Sequence, residues 1–134
     1  MTTYVLDASV AVAAVRGGEP SHAAARLRLA ALLAGADEIV VPAIFDAEVT
    51  SALVRRDASP AAVRSFVERD LALRQVVTIG PRAARAIAAI AARTRLRAAD
   101  AAYVWVAATR SLPLVTLDLE IGRRAGLLCR VELP

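Results

Sequence analysis

Four acidic residues, Asp7, Glu48, Asp100 and Asp118, stand where carboxylates are out of place. Asp7 and Asp118 end short apolar runs that read as strands, Tyr4-Val5-Leu6 and Leu114-Val115-Thr116-Leu117. Glu48 and Asp100 fall on the apolar faces of expected helices. Glu48 has Ile44, Phe45, Val49 and Ala52 as neighbours on the helical repeat, and Asp100 shares its face with Val104 and Ala107. An ionised carboxylate in such surroundings is costly unless positive charge compensates it. A shared divalent cation compensates several at once, because hard cations prefer oxygen ligands. The pattern points to a magnesium- or manganese-dependent enzyme.

Each position also has a structural reading. Asp7 or Ser9 can cap the segment that follows the first strand, and Asp118 can cap the short helix after it. Asp100 suits the first turn of a helix and has Arg97 three residues earlier as an ion-pair partner. Glu48 lacks such an alternative: Arg55 and Arg56 are seven and eight residues away, too far for a good pair along the helix. Thr116 is either a β-branched strand residue or, with Ser9, a group that orients the metal ligands from behind. The remaining acids, Asp46 and Glu19 among them, read as surface residues in turns and on exposed helix faces.

The elements that must position these groups alternate. Strands are expected at Thr3–Leu6, Glu38–Val41, Gln75–Ile79, Leu114–Leu117 and Cys129–Glu132. Helices are expected at Ala8–Val15, from Pro20-Ser21 to about Leu33, at Ala43–Arg56, from Pro60 to about Arg74, from Gly80-Pro81 to near Thr94, from about Leu96 to Arg110, and at Leu119–Arg124. Ser59 before Pro60 is an N-cap with proline in the first helical position. Apolar strands alternating with helices make a parallel sheet covered on both faces, an α/β fold. Ligands on such sheets bind beyond the carboxyl ends of the strands, where both Asp7 and Asp118 fall.

Composition bounds the class. The 134 residues fit one domain, 57% of them are hydrophobic, and no apolar run reaches the length of a membrane span. The N-terminus enters a strand pattern directly, so the expected location is cytoplasmic. The single cysteine, Cys129, reads as a small core residue. The net charge is +4, every cation is arginine and lysine is absent, which excludes a P-loop, a Schiff-base enzyme and a receiver domain with its usual lysine. A modest positive charge favours a polyanionic partner.

Four segments together resemble a known family. Tyr4-Val5-Leu6-Asp7-Ala8-Ser9-Val10 is similar to the opening motif of PIN-domain proteins. Phe45-Asp46-Ala47-Glu48-Val49-Thr50-Ser51-Ala52-Leu53 resembles their second motif, and Leu96-Arg97-Ala98-Ala99-Asp100-Ala101-Ala102-Tyr103-Val104 their third. Leu114-Val115-Thr116-Leu117-Asp118 resembles the fourth, followed by a less typical Leu119-Glu120-Ile121. Order and spacing match over nearly the whole chain, with most likeness to the VapC-type toxins of bacterial toxin–antitoxin pairs. The resemblance implies a single PIN domain over residues 1–134, a three-layer α/β/α sandwich with a central parallel sheet. It implies that Asp7, Glu48, Asp100 and Asp118 form the acidic site of a Mg²⁺- or Mn²⁺-dependent endoribonuclease. It implies RNA as substrate, a homodimer, and inhibition by a cognate antitoxin protein.

In that reading Asp7, Asp100 and Asp118 hold the metal, and Glu48 holds a second metal or positions the attacking water. Arg95 and Arg97 are the first candidates for phosphate contacts, and Arg123 and Arg124 the second. Tyr103 is a base-stacking platform or a core residue, Trp105 a core or interface residue, and His22 a surface helix residue. The competing readings are a catalytically silent PIN-like module that binds RNA or protein, and a phosphoryl-transfer domain, which the missing lysine disfavours.

Overall fold

The segment Thr2–Leu6 forms β1, the middle strand of a five-stranded sheet in a computed structural model that describes every residue from Met1 to Pro134. Its neighbours are β2 (Asp37–Pro42) on one side and β4 (Leu114–Val115) on the other, with β3 (Gln75–Val77) and β5 (Val131–Glu132) at the edges. All pairings are parallel, and Val5 stands opposite both Val40 and Leu114. Central parallel strands are buried on both faces and read as unbroken apolar runs. Tyr4-Val5-Leu6 and Ile39-Val40-Val41 are such runs and are fully buried.

Seven helices cover the sheet: α1 (Ala8–Val15), α2 (His22–Leu33), α3 (Phe45–Val54), α4 (Pro60–Ser65), α5 (Pro81–Thr94), α6 (Ala98–Arg110) and α7 (Leu119–Ala125). The order β3-β2-β1-β4-β5 means that the chain steps one way from β1 to β3, then returns across the sheet to β4 and β5. Right-handed crossovers therefore place α1 to α4 on one face and α5 to α7 on the other. The direction of winding reverses between β1 and β4. That crevice is where open α/β sheets bind ligands.

The core forms where the layers meet. Leu6, Val10 and Ala11 belong to one buried cluster, with Leu29 of α2 packed against it, and the Arg28 guanidinium lies 5.1 Å from the centre of the Tyr4 ring. On the other face α6 lies along β1, β2 and β4 and buries Tyr103, Val104 and Val106 completely. Tyr103 is thus a core residue with no ring face available to a base. His22 is not a free surface residue either. Its Nδ1 lies 2.7 Å from the Ala13 carbonyl, which fixes that nitrogen as the donor and ties the start of α2 to α1.

Every expected element is present, and the differences lie at ends. Ser59 caps α4 as expected, its hydroxyl accepting from the Ala62 amide at 3.3 Å. The helix expected to run to about Arg74 stops sooner: α4 passes into one π-helical turn, Phe66–Asp70, and then a turn. Arg74 explains the stop. Its Nη1 donates to the carbonyls of Val67 and Leu71, both at 2.9 Å, satisfying acceptors that a helix end leaves orphaned. The same guanidinium grips Asp46 on α3 through Nε at 2.8 Å and Nη2 at 2.6 Å. Asp46, read from sequence as a plain surface acid, thus belongs to a bidentate pair that ties the α4 segment to α3. The strands β3, β4 and β5 are shorter than their apolar runs, and β4 shortens for a reason that builds the site.

Candidate functional site

Asp7 follows β1 at the N-cap position of α1, yet its carboxylate caps nothing. It is only 6% exposed, and two hydroxyls converge on its Oδ2: Ser9 Oγ at 2.7 Å and Thr116 Oγ1 at 2.7 Å. Both hydroxyls go to one oxygen, which leaves Oδ1 out of the side-chain network. Burial raises the Asp7 pKa above the ordinary carboxylate value, the two hydroxyls oppose that rise, and the charge of Asp100 adds to it.

The same two hydroxyls also accept. Thr116 Oγ1 takes the Asp118 amide at 3.0 Å, and Ser9 Oγ takes the Leu117 amide at 3.2 Å. Side chains thus replace the ladder bonds that Leu117 and Asp118 would otherwise need, so the chain leaves the sheet after Val115 although the apolar run continues. Asp118 is delivered to the mouth of the crevice. Its Oδ1 accepts from the Glu120 amide at 2.9 Å and caps α7, so here capping and a place beside the cleft coexist.

Glu48 comes from α3 and Asp100 from α6, one from each face of the sheet. Asp100 Oδ2 accepts from Arg97 Nε at 3.1 Å, and Arg97 is itself raised in pKa by that contact. Glu48 Oε1 is buried with no hydrogen-bond partner. The Tyr103 hydroxyl lies beside it, and neither group makes a well-formed bond. Burial raises the Glu48 pKa first. Tyr103 opposes the rise, the charges of Asp7 and Asp100 add to it, and Arg97 lowers it. Glu48 is therefore poorly satisfied within the polypeptide, its one neighbouring donor being the equally unsatisfied Tyr103 hydroxyl.

All four acids line one cleft of about 320 Å³, together with Ser9, Glu19, Arg56 and Arg97. They surround it without closing on a point: no three of them form a ready-made ligand cage. The chemistry of the donors fits a hydrated divalent cation. Magnesium keeps several waters and takes one or two carboxylates directly. Glu48 lines the cleft, and Asp100 Oδ1 and Asp118 Oδ2 accept no hydrogen bond, so these three can face such a shell.

Arg97 stands on the wall of this cleft, and Arg95 does not line it. Arg95 is the C-cap of α5 in the left-handed conformation, at φ 60°, and turns the chain toward α6. Arg123 and Arg124 both pair with Glu120, at 2.7 and 2.9 Å. Two lining residues escaped the sequence reading. Glu19 follows α1 and pairs with Arg16 at 3.5 Å. Arg56 continues the line Glu48, Ala52, Arg56 at four-residue intervals, a signal that was present in the sequence.

The fold agrees with the comparison to known proteins. A family model described as the PIN domain matches residues 4–127. The chain belongs to the PIN-domain family. Among PIN-domain relatives, Ribonuclease VapC3 of Mycobacterium tuberculosis (strain ATCC 25618 / H37Rv) is 38% identical over 121 residues, covering 89% of this chain and 85% of that protein. Solved structures share the fold at lower identity. Mycobacterium tuberculosis VapC20, a sarcin–ricin-loop-cleaving toxin, superposes with a TM-score of 0.73 at 18% identity over 91% of this chain and 94% of that one. VapBC2 of Rickettsia felis, bound to a DNA fragment from its promoter, gives 0.71 at 17% identity over 99% of both chains.

Proposed function

We propose that this PIN-domain protein is a metal-dependent endoribonuclease, the toxin half of a toxin–antitoxin pair, which hydrolyses RNA phosphodiester bonds at the four-carboxylate cleft. One observation carries the reading. In a chain 38% identical to a ribonuclease, carboxylates from four separate segments line one cleft at the switch point of the sheet. Asp7, Asp100 and Asp118 would hold Mg²⁺ or Mn²⁺, directly or through waters. When bound, the ion lowers the pKa of its water and draws charge from the phosphoryl oxygens. Ser9 and Thr116 fix the Asp7 carboxylate from behind. Glu48, with only the Tyr103 hydroxyl beside it and raised in pKa, accepts the proton side of the attacking water and orients it. Arg97 presents its remaining N–H groups to the phosphate while Nε stays on Asp100.

The partner proposed is a cognate antitoxin that inhibits the enzyme, and the working form is a homodimer. Exposed Val15, Leu27 and Leu33 on α1 and α2 supply apolar surface for such contacts.

The experiment is incubation of the purified protein with total cellular RNA, with Mg²⁺ or Mn²⁺ and with chelator, beside an Asp7→Asn control. Discrete fragments that require metal and vanish in the variant are expected, and mapping their ends gives the target. Metal binding without cleavage of any RNA would replace the enzyme by a binding module. Equal cleavage by Asp7→Asn would overturn the assignment of Asp7.

A further inference from the structure

We infer that Arg56, with Arg55 beside it, is the phosphate-binding wall of this cleft, and that the RNA strand leaves the carboxylates along the C-terminal end of α3. The inference rests on the ribonuclease reading above. A cleft lined by Asp7, Glu19, Glu48, Asp100 and Asp118 repels a polyanion unless cations flank it. The other arginine on this wall, Arg97, already commits its Nε to Asp100 and keeps only its remaining N–H groups for a phosphate. Arg56 lines the cleft and pairs with no carboxylate within 4.0 Å, and neither does Arg55. Both side chains are exposed.

The surface gives them a path to act on. The acidic cleft adjoins a hollow of about 240 Å³ lined only by Ala52, Arg55 and Arg56, sharing Ala52 and Arg56 with it. That hollow shares Arg55 with a broader groove along α3. The run goes from the carboxylates over Ala52, which is too small to block it, to two free guanidiniums. Guanidinium forks suit phosphate oxygens, and contacts to the backbone position a strand without reading its bases. A strand whose reacting phosphate lies among the acids would place a flanking phosphate on Arg56 and the next on Arg55. These are positioning residues and do not touch the reacting atoms.

The test uses Arg55→Gln and Arg56→Gln, with Arg56→Lys as the charge-preserving rescue. Arg82→Gln is the control, because Arg82 is an exposed arginine at the start of α5 that lines none of these hollows. Each change is also placed in an Asp7→Asn background, and binding of a labelled single-stranded RNA spanning the mapped cleavage point is measured against salt. Each glutamine variant is expected to weaken binding several-fold and to lower the slope of log K against log salt by about 0.7, as loss of one single-strand phosphate contact does. In the active background KM rises with kcat nearly kept, and Arg56→Lys recovers most of the binding and of the KM. If the unmodified protein cleaves and binds, and Arg56→Gln matches Arg82→Gln in slope and KM, the inference is overturned. If the unmodified protein neither cleaves nor binds RNA, the ribonuclease reading itself has failed.

Discussion

Thr116 is 1% exposed, and its hydroxyl both donates to Asp7 and accepts from the Asp118 amide, so one side chain sets two of the four acids. Thr116→Val keeps the shape and removes both bonds. The expected result is a loss of about 2 kcal/mol in stability, as for a buried bond to a charged group, and a 10- to 100-fold weaker Mn²⁺ affinity by calorimetry, as for groups that support metal ligands. Thr116→Ser should restore most of both, and unchanged Mn²⁺ affinity in the valine variant would remove Thr116 from the site. Asp7 makes a second prediction at this scale. Its folded pKa lies above the ordinary 3.8, so the cost of burying its charge is full above the folded value and vanishes below 3.8. Asp7→Asn should therefore raise the Tm of the metal-free protein at neutral pH by roughly a few degrees. That advantage should shrink as pH falls through the folded pKa. A variant less stable than its parent at pH 7 would mean that the hydroxyls outweigh burial. The sequence placed all four acids at odds with their surroundings, which is why they were legible. Arg56 was passed over because its distance along the helix was weighed only as a partner for Glu48, not as a second occupant of the same line.

At the scale of elements, the fold was legible where periodicity and caps agree, as in the Ser59-Pro60 start of α4 and the apolar run of β1. It was less legible where a long-range side chain decides. No local pattern announces that Arg74 folds back to end the π-helical turn, or that Ser9, more than a hundred residues earlier, takes the Leu117 amide and so ends β4. The Arg74–Asp46 pair offers a test. Its arginine side chain is 14% exposed and its aspartate 44%, so solvent screens the Coulomb attraction, while the carbonyl contacts of Arg74 are better protected. Arg74→Ala should cost about 2 kcal/mol in urea unfolding, and Asp46→Ala about 1 kcal/mol or less. A double-mutant cycle should give a coupling below the larger of the two. Equal costs for the two single variants would mean that the pair, and not the capping of Val67 and Leu71, holds this corner.

For the whole molecule, the site lies at the switch point, so it joins the helical layers on the two faces of the sheet. Glu48 approaches from the face of α1 to α4, Asp100 from the face of α5 to α7, Asp7 from the end of β1 and Asp118 from the turn between β4 and α7. Without a cation these charges repel across the crevice: Asp7 and Asp100 each push up the pKa of Glu48, and Asp100 that of Asp7. A bound divalent ion turns that repulsion into a tie between the faces, and anything that binds only the folded state stabilises it by mass action. At a hundred times the dissociation constant the gain is about 2.7 kcal/mol, on the order of 10 °C in Tm for a domain of this size. Mg²⁺ or Mn²⁺ should therefore raise the melting temperature of the whole chain in a single cooperative transition. The rise should disappear in the Asp100→Asn/Asp118→Asn double variant, which keeps the Asp7 network but removes the repulsion from Asp100 and two ligands. That variant should also melt higher than the parent in chelator, because the Asp100 charge no longer repels Asp7 and Glu48. An equal metal-induced rise in the double variant would move the ion away from the switch point, and with it the argument that the carboxylates, the sheet topology and the chemistry share one cause.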